Sequence, residues 1–302
     1  MLSPDSSAAQ ASSQPSPSPK RTADEERLRA DWANLARYRA DNAALGAPAA
    51  GEQRVVFMGN SITEGWARYF PTMFPGKPYV GRGIGGQTTP QMLVRFRQDV
   101  IALKPAVVVI LAGTNDIAGN TGASTLEMIE DNLASMAELA KANGIKVVLS
   151  SVLPVFDYPW RPGLEPAPKI VALNAWMKQY AAAHGAVYLD YHSAMADARQ
   201  GMRADLAGDG VHPNDKGYGL MAPLVERAIA MMKALATRPE QWRDVRAIAA
   251  TARANGVAWS LPAPAHAESV EMSRDGKHVL VAGGDGSVQI YDLIARSSRL
   301  LV

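Results

Sequence analysis

A serine, a histidine three residues beyond an aspartate, and an asparagine stand where acyl chemistry would need them in this chain. Ser61 lies in Gly59-Asn60-Ser61-Ile62-Thr63-Glu64-Gly65-Trp66, directly after the apolar run Val55 to Met58. At a strand-to-helix turn a serine presents its hydroxyl at the strand end and its own N–H at a helix N-terminus, the placement a nucleophile and its developing oxyanion require. The same residue serves equally well as a plain helix cap. Asp209 and His212, in Asp209-Gly210-Val211-His212, can meet across one turn. The carboxylate then fixes the imidazole tautomer and steadies the imidazolium formed on proton transfer. Asn115, in Gly113-Thr114-Asn115-Asp116, follows the run Val107 to Leu111 and can donate to an oxyanion or close an Asx turn.

A glycine-rich segment, Gly81-Arg82-Gly83-Ile84-Gly85-Gly86-Gln87-Thr88, reads literally as the dinucleotide fingerprint through Gly81, Gly83 and Gly86. Its context argues against that reading: Pro75 and Pro78 flank the preceding strand, and no acidic residue ends the next one to meet a ribose. The alternative is a bare N–H at Gly86 approaching a ligand oxygen, or simply a tight loop. Among the five histidines, His184 reads as a helix-end residue. Asp190 and His192 offer a second acid–base pair, or a local structural bond.

These segments need a scaffold that aligns them, and the intervening sequence supplies one. Short β-branched runs (Arg54 to Met58, Ala106 to Leu111, Lys146 to Ser151, Ala186 to Leu189, and a weak one near Tyr79-Val80) alternate with helical patterns. The helices are expected near Ile62 to Tyr69, Pro90 to Ala102, Ser124 to Asn143, Lys169 to His184 and Asn214 to Leu235, with one more over Asp24 to Leu45. Continuous rather than alternating apolar strands are those covered on both faces, so the fold class is α/β, a doubly wound, mostly parallel sheet flanked by helices. Such sheets place their sites at the carboxyl ends of the strands. Glu240 to Asn255 reads as a last helix. The domains are expected as a Ser/Pro-rich disordered tail over 1–22, the α/β domain over 23–256, a linker over 257–268 and a small β-rich appendage over 269–302.

In their order and strand-end placement the four segments resemble the SGNH hydrolase superfamily, also called GDSL esterases or lipases, over about residues 50–236. The resemblance implies an SGNH-like three-layer sandwich and a serine esterase needing no metal and no cofactor. It implies Ser61 as nucleophile, His212 as base and Asp209 as its orienting partner. The oxyanion hole it implies is the N–H of Ser61, the N–H of Gly86 and the amide of Asn115. Asn60 stands where the family name has aspartate, so no carboxylate acts there.

The implied substrate is a small carboxylic ester, such as an acetyl ester on a glycan. The loop Pro154 to Pro168, with five prolines and Phe156, Tyr158 and Trp160, follows a strand end and either walls the site or packs on the domain. Asn60, Trp160 and Val211 are taken as substrate contacts. A catalytically silent module that recruits a partner is the alternative function, and a nucleotide-binding oxidoreductase built on the Gly81 to Gly86 loop is a third.

The composition narrows the partners. Thirty-one basic against 29 acidic residues leave a formal charge of +2 with no long basic run, so nucleic acid is not expected. No cysteine means no disulfide, thiol catalysis or thiolate metal site. No apolar run is long enough to span a bilayer. The Ser/Pro tail lacks the pattern of a signal peptide. Tails of this kind often link an exported domain to a removed signal or anchor, which favours a periplasmic or extracellular location; an ordinary disordered terminus also fits.

At the other end, Ser273-Arg274-Asp275-Gly276, Gly284-Asp285-Gly286-Ser287 and Tyr291-Asp292, preceded by His266, resemble one WD-repeat blade of a β-propeller. Its fourth strand is expected near Leu300 to Val302. One blade cannot bury both its faces, so it belongs to a larger propeller or docks by strand pairing, on the hydrolase or on another copy of the chain.

Overall fold

Aliphatic and β-branched runs pair into one parallel sheet because every residue of its central strands is shielded from water. In the computed structural model, which describes residues 22–237, 267–272, 278–283, 288–292 and 297–300, these strands are β1 (Val55–Gly59), β2 (Tyr79–Gly83), β3 (Val107–Leu111), β4 (Lys146–Ser150) and β5 (Val187–Leu189). All pairings are parallel, in the order β2-β1-β3-β4-β5. The order reverses between β1 and β3, and their carboxyl ends, Gly59 and Leu111, are in register. That is the crevice in which doubly wound sheets place ligands.

Side chains alternate across the strands, so each face receives its own core. Val56, Met58, Val108, Ile110, Val147 and Leu149 face one side. There they meet α5 (Thr89–Asp99), α7 (Leu126–Ala142) and α8 (Pro166–His184). Val55, Phe57, Val107, Val109, Val148 and Leu189 face the other. They pack on α3 (Ser61–Ala67), the single turn α4 (Phe70–Met73) and α10 (Asp215–Thr237). Trp66 anchors that side, stacked on Tyr218 at 5.8 Å between ring centroids. The single-turn helices α6 (Thr114–Ile117) and α9 (His192–Met195) follow β3 and β5; both are too short to leave a periodic pattern in sequence.

One expectation needs correction, and one reading already disfavoured by its context is excluded. The helix expected over Asp24 to Leu45 is two helices, α1 (Ala23–Ala30) and α2 (Arg39–Leu45). Asp31 separates them, because its carboxylate takes the amides of Leu35 (2.8 Å) and Ala36 (2.9 Å), and Asn34 turns through φ 54°. The glycine-rich segment is not a phosphate loop. Gly81 and Gly83 belong to β2, where α3 crosses so closely that a Cβ would lie 2.4 Å from the Ala67 side chain and 2.1 Å from the Glu64 amide. The glycines serve helix–sheet contact.

The chain divides into two units after Thr237. In the second, β6 (Ala267–Met272), β7 (His278–Gly283), β8 (Val288–Asp292) and β9 (Ser297–Leu300) form an antiparallel sheet in sequence order. The Ser/Pro tail, the helix expected over 240–255, most of the linker, His266 and the turns at 274–276 and 284–286 lie outside the described residues.

The polar element of the first unit that bears on the site is Arg95, which is wholly buried on α5. It donates to the Gly59 carbonyl (2.9 Å), to Gln87 Oε1 (2.5 Å) and to Asp99 Oδ2 (3.1 Å). Asp99, also wholly buried, accepts from Asn42 of α2 at 2.7 Å. Removing one member of such a pair leaves an uncompensated charge in a dry interior. Arg95→Ala is therefore expected to lower stability by about 3–5 kcal/mol in urea unfolding; a change below about 1 kcal/mol would show that the network carries little of the fold.

Candidate active site

The block that ends β1 and begins α3 is shaped residue by residue. A Cβ at Gly59 would lie 2.1 Å from the Thr63 hydroxyl, so the strand turns into the helix with no room for a side chain. Asn60 caps α3, its Oδ1 accepting the Ile62 amide at 3.0 Å. Ile62, Thr63 and Trp66 are buried, and Tyr218 donates its hydroxyl to the Ile62 carbonyl at 2.9 Å. Ser61 is left at the first helical position, half-buried, its hydroxyl directed at the loop before α10.

That loop carries Asp209 and His212. Gly210 takes φ 76°, a left-handed conformation that favours glycine, and Val211 drops into the core at 1% exposure. The chain thereby folds back over the Asp209 carboxylate. Oδ1 accepts the amides of Val211 (2.9 Å) and His212 (2.8 Å), and Oδ2 accepts from the His212 ring at Nδ1 (2.7 Å). An ionised carboxylate only accepts, so Nδ1 carries the proton and Nε2 presents its lone pair. Nε2 lies 2.9 Å from the Ser61 hydroxyl. Burial raises the Asp209 carboxyl, but the hydrogen bonds from the His212 ring and from the His212 and Val211 amides outweigh it and hold it below the ordinary carboxylate value. Aspartate, imidazole and hydroxyl thus form one chain of hydrogen bonds able to draw a proton off Ser61.

Beside Ser61 runs the turn Ile84 to Gln87, closed by the Gln87 amide on the Ile84 carbonyl at 3.3 Å. A Cβ on Gly85 would lie 3.9 Å from that of Ser61. On the other side Asn115, 4% exposed on α6, donates from Nδ2 to the Gln87 carbonyl at 2.9 Å, which leaves one amide hydrogen over. Among the described residues no acceptor takes the amide hydrogens of Ser61 or Gly86. The turn thus lies against Ser61 at Gly85 and is bonded by Asn115 at Gln87, which makes the amides of Ser61 and Gly86 and the second Asn115 amide hydrogen the candidate donors to a negative oxygen.

Of the expected substrate contacts, only Trp160 reaches the site as a side chain. Its ring stands 6.2 Å from that of His212 and is 45% exposed. Asn60 is fully buried as the cap of α3, and Val211 is a core anchor, so neither side chain offers a surface to a ligand. The loop around Trp160 is fastened over α6. Tyr158, fully buried, donates to the Thr114 carbonyl at 2.9 Å, and Arg161 donates to the carbonyls of Ala118 (2.7 Å) and Gly119 (2.9 Å). Phe156 points elsewhere, beneath the Arg199 guanidinium at 4.4 Å.

The second acid–base pair does not form. Asp190 binds the Ser193 amide (2.9 Å) and hydroxyl (2.7 Å), while His192 is buried, which depresses its basicity. His184 is a helix-end residue, bonded through Nδ1 to the Tyr180 carbonyl at 2.9 Å. Among the described residues no group of three or more potential ligands could hold a metal ion. Sequence reasoning left out Glu64, Gln87, Arg95 and Asp116. The signal for Arg95 was its place beside Met92 and Phe96 on the core face of α5, four residues before Asp99.

Residues 57–220, rather more than half the chain, match the GDSL-like lipase/acylhydrolase family. A GDSL-like lipase structure from Bacteroides thetaiotaomicron is 50% identical, with a TM-score of 0.65, over 67% of this chain and 99% of that one. An acetylxylan esterase of Xylanibacter ruminicola is 28% identical over 223 residues, 62% of this chain and 45% of that protein. Esterase TesA of Pseudomonas aeruginosa is 28% identical over 164 residues, 52% of this chain and 73% of that one. The chain spans about half the length of the first curated relatives it matches.

Asp116, next to Asn115, accepts the Thr89 amide on both oxygens (2.9 and 3.1 Å) and the Thr89 hydroxyl (2.5 Å), tying α6 to the start of α5. Burial raises its pKa from the ordinary 3.8 to about 6, against the lowering effect of the Thr89 bonds. Between those values the folded chain holds the proton that the unfolded chain has released, so this group's stabilisation is present at lower pH and lost as pH rises toward 6. Asn at 116 does not titrate. The stability of the parent relative to Asp116→Asn is expected to fall across this window, by on the order of 2–3 kcal/mol in urea unfolding. A gap that stays constant or widens with pH contradicts the shift.

Proposed function

The chain belongs to the GDSL-like lipase/acylhydrolase family, and from that premise we propose that it hydrolyses short-chain carboxylic esters, acetyl groups on carbohydrate among them. The observation that carries this reading is the hydrogen-bonded chain from Asp209 through His212 to Ser61 (2.7 and 2.9 Å), at the carboxyl edge of the sheet. Ser61 attacks the ester carbonyl while His212 Nε2 takes its proton. The tetrahedral oxyanion is held by the amides of Ser61 and Gly86 and the free hydrogen on Asn115 Nδ2. Asp209 keeps the imidazole in the productive tautomer and offsets its positive charge. As the intermediate collapses, His212 hands the proton to the departing alkoxide, releasing the alcohol. Water, deprotonated by the same nitrogen, attacks the acyl-serine; its collapse frees the acid and returns the proton to Ser61. An unbroken relay supports an enzyme rather than a silent binding module.

The acetyl-glycan reading rests on Trp160, an exposed flat ring beside the imidazole that suits the apolar face of a sugar. The related acetylxylan esterase supports the same substrate class. For the C-terminal unit, the propeller-blade reading and strand pairing with another copy stay part of the proposal, supported by four antiparallel strands in sequence order.

Ser61→Ala and His212→Ala are expected to cut p-nitrophenyl acetate hydrolysis by several orders of magnitude with an unchanged circular dichroism spectrum; near-parental turnover in either would falsify the proposed roles. Asn115→Ala is expected to cost about 10²-fold or more in kcat. Trp160→Ala is expected to raise KM for acetylated xylan fragments and leave p-nitrophenyl acetate nearly untouched. Equal effects on both substrates contradict a sugar platform.

A further inference from the structure

The Gly86 amide has two directions open to it. The turn Ile84 to Gln87 has Gly85 and Gly86 at its centre, and only Gly86 takes a positive φ, 74°. That is the pattern of a type II turn. Type I and type II turns differ by a flip of the central peptide plane, and the N–H of that plane is the Gly86 amide. With glycine on both sides no Cβ favours either state. Something outside the turn has to select the one in which the amide serves the site.

We infer that Glu64 and Asn120 clamp the Gly85–Gly86 peptide from its two sides and so act as positioning residues for the oxyanion hole. This rests on the proposed role of Gly86. Glu64 lies one turn along α3 from Ser61, and its Oε2 accepts the Gly85 amide at 2.8 Å. Its other oxygen faces Arg37 at 3.5 Å, an exposed pair of little energetic weight. Asn120, just beyond α6, donates from Nδ2 to the Gly86 carbonyl at 3.0 Å. The peptide preceding the flippable plane is thus held from the nucleophile's helix, and the peptide following it from the segment that carries Asn115. Neither residue touches the reacting atoms. What the clamp requires of Glu64 is an acceptor oxygen, not a charge.

The test is steady-state hydrolysis of p-nitrophenyl acetate, with the inactivation rate by a p-nitrophenyl phosphonate, whose phosphoryl oxygen uses the same hole. Glu64→Ala and Asn120→Ala are expected to lower kcat about tenfold or more at little-changed KM, and to slow phosphonate inactivation in parallel. Glu64→Gln, which keeps the acceptor, is expected to recover most of the loss. Melting temperatures separate a failed fold from a misdirected amide, and the two alanine variants lie on different elements, so one remains informative if the other is unstable. The inference is overturned if both alanine variants keep kcat within about twofold of the parent, or if Glu64→Gln is as slow as Glu64→Ala. Ser61→Ala distinguishes the two levels: activity surviving it sinks the proposed Ser61 mechanism and the hole built around it, whereas activity lost there but kept in both clamp variants sinks only the clamp.

Discussion

The site depends on one guanidinium in a place where charge is costly. Arg95 lies in the water-free interior and spends three nitrogens on three structural decisions. It holds the carbonyl of Gly59 where the strand turns toward Ser61, it holds the Gln87 side chain, and it pairs with Asp99. The Gln87 carbonyl in turn receives Asn115. The nucleophile's turn and two sides of the candidate oxyanion hole are thereby referred to one rigid group. Satisfied in full, such a network specifies a single arrangement; half satisfied, it would be worse than an apolar core.

The network extends outside the residues that match the family, 57–220. Gln87 Nε2 donates to the Ala33 carbonyl at 2.7 Å, and Gln91 and Gln98 reach the carbonyls of Trp32 and Leu35, each at 2.7 Å. Tyr38 donates to the Gly83 carbonyl, with the guanidinium groups of Arg37 (4.6 Å) and Arg82 (4.7 Å) against its ring. The segment between α1 and α2 is irregular because its backbone carbonyls are needed as acceptors by side chains of the α/β core. A continuous helix would have consumed those carbonyls internally. The N-terminal segment is therefore part of the frame that holds the glycine turn.

The active-site loops show the same economy. Asp209 satisfies two backbone amides with one oxygen and the imidazole with the other, so the residue that shapes the loop also orients the His212 ring. Val211 pins that loop through burial, and Tyr158 and Arg161 pin the Trp160 loop through carbonyls of α6 and of the two residues that follow it. Positions near the chemistry thus divide between groups that face the crevice and groups spent on fixing it. Asn60 and Val211 belong to the second kind, although their neighbours in sequence belong to the first.

Much was legible before any coordinates. The strands announced themselves as unbroken β-branched runs, which only a sheet buried on both faces permits, and the candidate triad stood out because Ser61 follows a strand and Asp209 and His212 stand three apart before the last long helix. The D-x-x-H spacing by itself allows carboxylate and ring to meet across one turn. The two-residue hint at Tyr79-Val80 understated β2, because the glycines that complete it are poor strand formers kept for contact with α3. Sequence could not distinguish Gly81 and Gly83, packed under a helix, from Gly86, free at a turn, since a missing Cβ reads the same in every setting. Nor could it show that Arg95, Gln87 and Glu64 converge on one loop. Local spacing determines which groups can meet within a turn or along a strand. Which groups meet across 151 residues, as Ser61 and His212 do, is decided only when the sheet brings distant strand ends to one edge.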